Sequence, residues 1–115
     1  GEGCYIGPYV HIDLLYPNLI TIEDNVAIGS NSMIFAHVNP AANLELKKNH
    51  YPRKIDPVLL KSGTWINPAC IITLGTTMGK NSILSIGSVA VSSIPDNCLA
   101  IGNPARVVKK LIDNP

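Results

Sequence analysis

A six-residue rhythm constrains this chain more than any other feature. In the stretch LKSGTWINPACIITLGTTMGKNSILSIGSVAV, residues 60–91, every sixth residue from Leu60 is aliphatic: Leu60, Ile66, Ile72, Met78 and Leu84. Four places after each of them stands a small residue: Thr64, Cys70, Thr76, Ser82 and Ser88. A period of six matches neither an α-helix nor the simple alternation of a half-buried strand. It demands two inward positions per six residues. A parallel β-helix supplies them, because each hexapeptide makes one short strand and one turn, three close a triangular coil, and coils pair backbone to backbone. The aliphatic then fills the interior, and the small residue sits near a corner where only a short side chain fits.

Composition agrees with a narrow prism. The 115 residues form one domain, 1–115, that is 46% apolar but only 5% aromatic, with Phe35 and Trp65 the sole Phe and Trp. The interior must therefore be built from Ile, Leu and Val, and nine Gly and nine Pro supply the corners. A net charge of +1 argues against a nucleic-acid partner. The uncharged stretch that starts at Thr64 is broken by Asn, Pro, Gly and Thr, so neither a membrane span nor a signal peptide is expected. Cys4, Cys70 and Cys98 are odd in number and lack metal-ligand spacing, which points to reduced thiols in a cytoplasmic protein. The chain begins at Gly1 without Met, which leaves room for upstream coils or a helical segment.

The rhythm is looser towards the start. Ile6 and Ile12 obey it, the phase slips around Tyr16, Pro17 and Asn18, and Ile22, Ile28 and Ile34 resume it with Val26 and Ser32 at the small positions. Ile34 and Leu60 are then 26 residues apart, two more than four hexapeptides. The segment between, about 35–57, is expected to be a polar excursion without regular structure, and long loops of that kind usually carry function. After Val91, Pro95 and Pro104 mark the end of coiling. Asn103 as N-cap and Pro104 as first helical residue, with Val107, Val108, Leu111 and Ile112 on one face, predict a terminal helix over about 104–113.

Three blocks, IEDNVAIGSNSMIFAH, TWINPACIITLGTTMGKNSILSIGSVAV and IPDNCLAIGNPARVV, carry a resemblance to the hexapeptide-repeat acyltransferases, in the branch of galactoside, maltose and xenobiotic O-acetyltransferases. The GNPAR ending and the Trp65-Ile66 pair are its most specific marks. The family often has Gly second in each hexapeptide, where this chain has Lys61, Asn67, Thr73 and Ser85 and keeps only Gly79. The resemblance implies an all-β, left-handed parallel β-helix that transfers acetyl from acetyl-CoA, as co-substrate and without a metal, to a hydroxyl of a small-molecule acceptor such as a sugar. It implies a homotrimer with sites at the subunit interfaces.

Residue by residue, the resemblance makes His37, at the head of the excursion, the general base that deprotonates the acceptor. It gives His11 and Asp13 to acceptor binding. Along the coenzyme it sets Trp65, Gly75, Ser85, Ile86 and Gly87, with a backbone N–H near Ser85–Gly87 facing the thioester oxygen, and Arg106 and Lys109 towards the 3′-phosphate end. Lys47, Lys48, Arg53 and Lys54, around His50, form a basic cluster that is either a solvated face or a partner for an anionic acceptor or the coenzyme phosphates. Two alternatives compete. One is a prism scaffold without catalysis; the other is a γ-type carbonic anhydrase, which the wide spacing of the three histidines disfavours.

Overall fold

The computed structural model describes residues 1–112. The first coil carries β1 (Tyr5–Ile6), β2 (His11–Ile12) and β3 (Ile20–Ile22). The second carries β4 (Ala27–Ile28) and β5 (Met33–Ile34), leaves the stack through β6 (His37–Val38), helix α1 (Leu44–Asn49) and β7 (Lys54–Ile55), and returns in β8 (Val58–Leu60). The third holds β9 (Trp65–Ile66), β10 (Ile71–Ile72) and β11 (Thr77–Met78). The fourth holds β12 (Ile83–Leu84), β13 (Val89–Ala90) and a single parallel bridge from Ile94 to Met78. Last come β14 (Cys98–Gly102) and β15 (Ala105–Lys110).

Each of the first three coils gives one strand to each of three parallel sheets. The first face is β1-β4-β9-β12-β14, the second β2-β5-β10-β13, and the third β3-β8-β11. Register runs straight down the stack: Ile28, Ile66, Leu84 and Ala100 lie in one row, Ile34, Ile72 and Ala90 in the next, Leu60 and Met78 in the last. All of these are fully buried, and so are Thr64, Cys70, Thr76, Ser82 and Ser88. Both inward positions of the hexapeptide are thus inside. Ile6 in the first coil is 49% exposed, because no coil stacks on its outer side within the described chain.

The corners have their own six-residue rule, which the apolar pattern hides. Gly63, Ala69, Gly75, Asn81 and Gly87, six apart, all take the left-handed backbone region, with φ between 56° and 78°. Glycine adopts it without strain and asparagine more readily than most residues. The repeated requirement falls on the fourth residue of each hexapeptide counted from its inward aliphatic, not the second.

Two expectations are corrected. The terminal helix over about 104–113 does not form: Ala105–Lys110 is β15, antiparallel to β14 with a bulge between Leu99 and Ala100, and residue 113 lies outside the described residues. The physical reason is the free edge of β14 at the end of the stack. Pairing satisfies its backbone groups, Val107 and Val108 suit a strand, and Lys109 and Lys110 blunt the new edge. Nor is the excursion structureless. β6 and β7 pair antiparallel, His37 opposite Ile55 and Val38 opposite Lys54, and α1 is capped by Asn43, whose Oδ1 accepts from the Leu46 amide at 2.9 Å.

Buried hydroxyls in the small row differ in one respect that can be measured. Thr64 Oγ1 donates to the Lys61 carbonyl at 2.6 Å, whereas Thr76 Oγ1 has no hydrogen-bond partner among the described residues. An orphaned buried hydroxyl costs stability and a paired one contributes about 1 kcal/mol. Thr76→Val should leave the melting temperature unchanged or raise it, and Thr64→Val should lower it. Equal losses in both, by thermal denaturation, would contradict this account.

Candidate functional site

Asp13 and His37 meet where two coils depart from the rhythm at the same corner. Asp13 follows β2 on its way from the second face to the third, and His37 leaves that corner one coil further on. His37 Nδ1 lies 2.5 Å from Asp13 Oδ2, which also accepts from the Ala36 amide at 2.9 Å. Asp13 Oδ1 accepts from the amides of Leu15 at 2.9 Å and Tyr16 at 3.1 Å. Asp13 is buried, its residue as a whole 1% exposed. Burial pushes its pKa up, but the hydrogen bonds from His37, Ala36 and Leu15 together outweigh burial and hold the carboxyl below its ordinary value.

An ionised Asp13 fixes the imidazole. It takes the proton on Nδ1 as a hydrogen bond, so the neutral ring keeps its lone pair on Nε2. The His37 side chain is 20% exposed, against none for Asp13. The ring of Tyr16 packs edge-on against His37 with centroids 5.3 Å apart, and the Arg53 guanidinium lies 5.0 Å from the centre of the Tyr16 ring. Such an assembly can accept a proton at Nε2 and return it. Asp13, expected among the acceptor-binding groups, instead lies behind the histidine with both oxygens engaged. His11, its companion in that expectation, projects from the second face against Phe35, ring centroids 5.5 Å apart.

The residues expected along the coenzyme fall elsewhere. Trp65, half exposed, shares an outward row of the first face with Ala27, Ile83 and Leu99, and the row ends at Lys109. Ser85, Ile86 and Gly87 form the corner from the first face to the second, and Arg106 pairs with Ile101 just beyond it. The amides of Ser85 and Gly87 are committed to the carbonyls of Ala100 and Pro68, and among the described residues that of Ile86 has no backbone acceptor. A Cβ on Gly87 would meet nothing within 4 Å. Gly75 is different: it sits at the His37 corner, and a Cβ there would come within 2.6 Å of Asp56 Oδ2. In a single chain the two groups therefore occupy different edges, with the second face between them.

Cys4, Cys70 and Cys98 are free thiols, and burial pushes the Cys70 thiol up. Among the described residues no three His, Cys, Asp or Glu side chains cluster as metal ligands. No helix among them is long and apolar enough to cross a membrane.

No protein-family model matches the chain. Galactoside O-acetyltransferase of Escherichia coli is 34% identical to it over 94 residues, covering 82% of this chain and 45% of the relative. A solved galactoside acetyltransferase in complex with coenzyme A superposes with a TM-score of 0.79 at 28% identity, covering 98% of this chain and 64% of that one. A maltose O-acetyltransferase from Clostridium difficile superposes with a TM-score of 0.71 at 26% identity, covering 97% and 71%. The chain belongs to the hexapeptide-repeat acyltransferases, in the branch of the galactoside and maltose O-acetyltransferases. It spans about half the length of the curated relatives it matches.

The Asp13 carboxyl couples the site to stability. Its folded pKa is depressed, so the stabilisation it provides is fully present above the unfolded carboxylate range, about pH 4, and is lost as pH falls through the lower folded value. Asp13→Asn should be less stable than the unaltered chain at pH 7, and the gap should close on acidification below about pH 4. A gap independent of pH in denaturation curves would mean that the charge plays no part.

Proposed function

We propose that this chain is the catalytic part of an acetyl-CoA-dependent O-acetyltransferase, a left-handed triangular prism that transfers acetyl from acetyl-CoA to a hydroxyl of a sugar or similar small acceptor. One observation carries the proposal: an imidazole whose Nδ1 is held at 2.5 Å by a buried, ionised carboxylate and whose side chain is part-exposed at the mouth of the excursion. Its relatives among the galactoside O-acetyltransferases support the acyl chemistry.

In this mechanism His37 Nε2 takes the proton of the acceptor hydroxyl as that oxygen bonds to the thioester carbonyl carbon. The carbon–sulfur bond then breaks, and the imidazolium returns the proton to the departing thiolate. Asp13 keeps the ring in the required tautomer and stabilises its charged form. The free amide of Ile86 is the donor for the charge that develops on the carbonyl oxygen. Trp65, Ser85, Ile86, Gly87, Arg106 and Lys109 line the path of the coenzyme.

A site that needs both edges closes only across a subunit boundary. One side of a coil is about six residues, up to ~20 Å, too wide for His37 and the Ile86 corner of one chain to reach the same carbonyl. A homotrimer solves this, with His37 of one chain facing the donor edge of the next. The cytoplasm, where acetyl-CoA is available and thiols stay reduced, is the matching compartment.

His37→Ala should lower acetyl transfer by about 10²–10⁴-fold, while coenzyme A binding by calorimetry and a three-copy mass by sedimentation stay intact. Unchanged turnover would remove the assignment. Asp13→Asn should reduce kcat and leave the KM for acetyl-CoA in place, as expected of a positioning residue. Absence of coenzyme A binding to the unaltered protein would favour the scaffold instead.

A further inference from the structure

Arg53 is the arginine of the excursion, and it joins two features of the molecule. Its guanidinium lies 5.0 Å from the centre of the Tyr16 ring, whose edge meets His37. Together with Lys54 it also lines an open groove of about 750 Å³ walled by Val38, Leu46, Tyr51 and Pro52. The groove adjoins the catalytic corner because β6, which begins at His37, supplies Val38.

The acids nearby are spoken for. Asp13 is bonded to His37 and three amides, Glu45 accepts from Asn49 Nδ2 at 2.9 Å, and Asp56 lies against Gly75. Among the described residues neither Arg53 nor Lys54 has a carboxylate oxygen within 4.0 Å. An arginine held by an aromatic face without an acid partner is available to an oxyanion, two oxygens of which it can grip with parallel hydrogen bonds. The apolar walls suit a carbon ring skeleton.

We propose that the acceptor carries an anionic group, a carboxylate, phosphate or sulfate, beside the hydroxyl that is acetylated, and that Arg53 is its specificity-determining partner in this groove. The proposal rests on the acetyltransferase function above and names its acceptor class. Lys54 adds a second positive charge. The coenzyme's phosphates, brought to this corner by the donor edge of the neighbouring chain, are another source of an anion, and the two sources separate kinetically.

The test compares galacturonate with its methyl ester, which offers the same hydroxyls without the charge, and with galactose, each with acetyl-CoA and thiol release as the readout. Galacturonate should exceed its ester in kcat/KM by about tenfold or more. Arg53→Gln should collapse that ratio towards one, Arg53→Lys should keep part of it, and Lys48→Gln on α1 should keep it whole. The KM for acetyl-CoA should not move in Arg53→Gln. Equal kcat/KM for acid and ester overturns this inference alone, as does an Arg53→Gln effect confined to acetyl-CoA. Absence of thiol release with all three sugars overturns it together with the function on which it rests.

Discussion

Coil-to-coil backbone register is the constraint on which the rest of this structure depends. Trp65 pairs with Ile83, Ile71 with Val89 and Leu59 with Thr77, eighteen residues apart in each case. Because strands of two or three residues have few ladder bonds each, no strand is held by itself. The stack is stable only if every coil returns its strand to the same height, so the inward aliphatic rows and the left-handed corner residues must keep common time. A slip of one residue would turn an entire inward row outwards.

Insertions are tolerated only where the ladder can close again behind them. The step from Ile12 to Ile22 is ten residues and that from Ile34 to Leu60 is 26, while every other step from Ile6 to Ala90 is six. Ile12 pairs with Ile34, and Ile22 with Leu60, so both insertions leave from one corner on adjacent coils. The spacing of the isoleucines already encodes this. From Ile12, where the first insertion starts, the inward positions Ile22, Ile28 and Ile34 make three steps, one turn of the coil, to where the second starts. Counting those steps alone stacks Asp13 beneath the corner of His37. The Asp13 carboxylate then serves as the tie between the two insertions, since it accepts amides from Leu15 and Tyr16 of one and Ala36 at the neck of the other.

Legibility follows how directly a residue's role depends on the repeat. Leu60, Ile66, Ile72, Met78 and Leu84 and their small partners are readable because burial inside the stacked coils depends on phase alone. His37 is readable as a base only through resemblance, and the isoleucine spacing stacks its corner on that of Asp13 without telling which side-chain atoms meet there. Val107, Val108, Leu111 and Ile112 mislead because their spacing also fits a helical face. What decides the matter is the unpaired edge of β14, a tertiary fact that overrides local propensity.

The stack constrains its regular corners and its excursion to different degrees. Trp65 and the Ser85–Gly87 corner belong to the regular ladder, where a change in length would shift the register of the coils that follow. The corner that bears Asp13 and His37 lies between ladder strands that close behind it, with Asp56 N bonded to the Ala36 carbonyl at 3.0 Å across the neck of the excursion. Beyond that neck the chain is free of the stack's geometry, and the hairpin, α1 and the groove with Arg53 can change without disturbing a single inward row. The histidine stands at the neck itself. It is fixed by a carboxylate that the stack positions, yet it faces a segment that the stack does not constrain, so the Asp13–His37 pair can stay as it is while the surface around it changes.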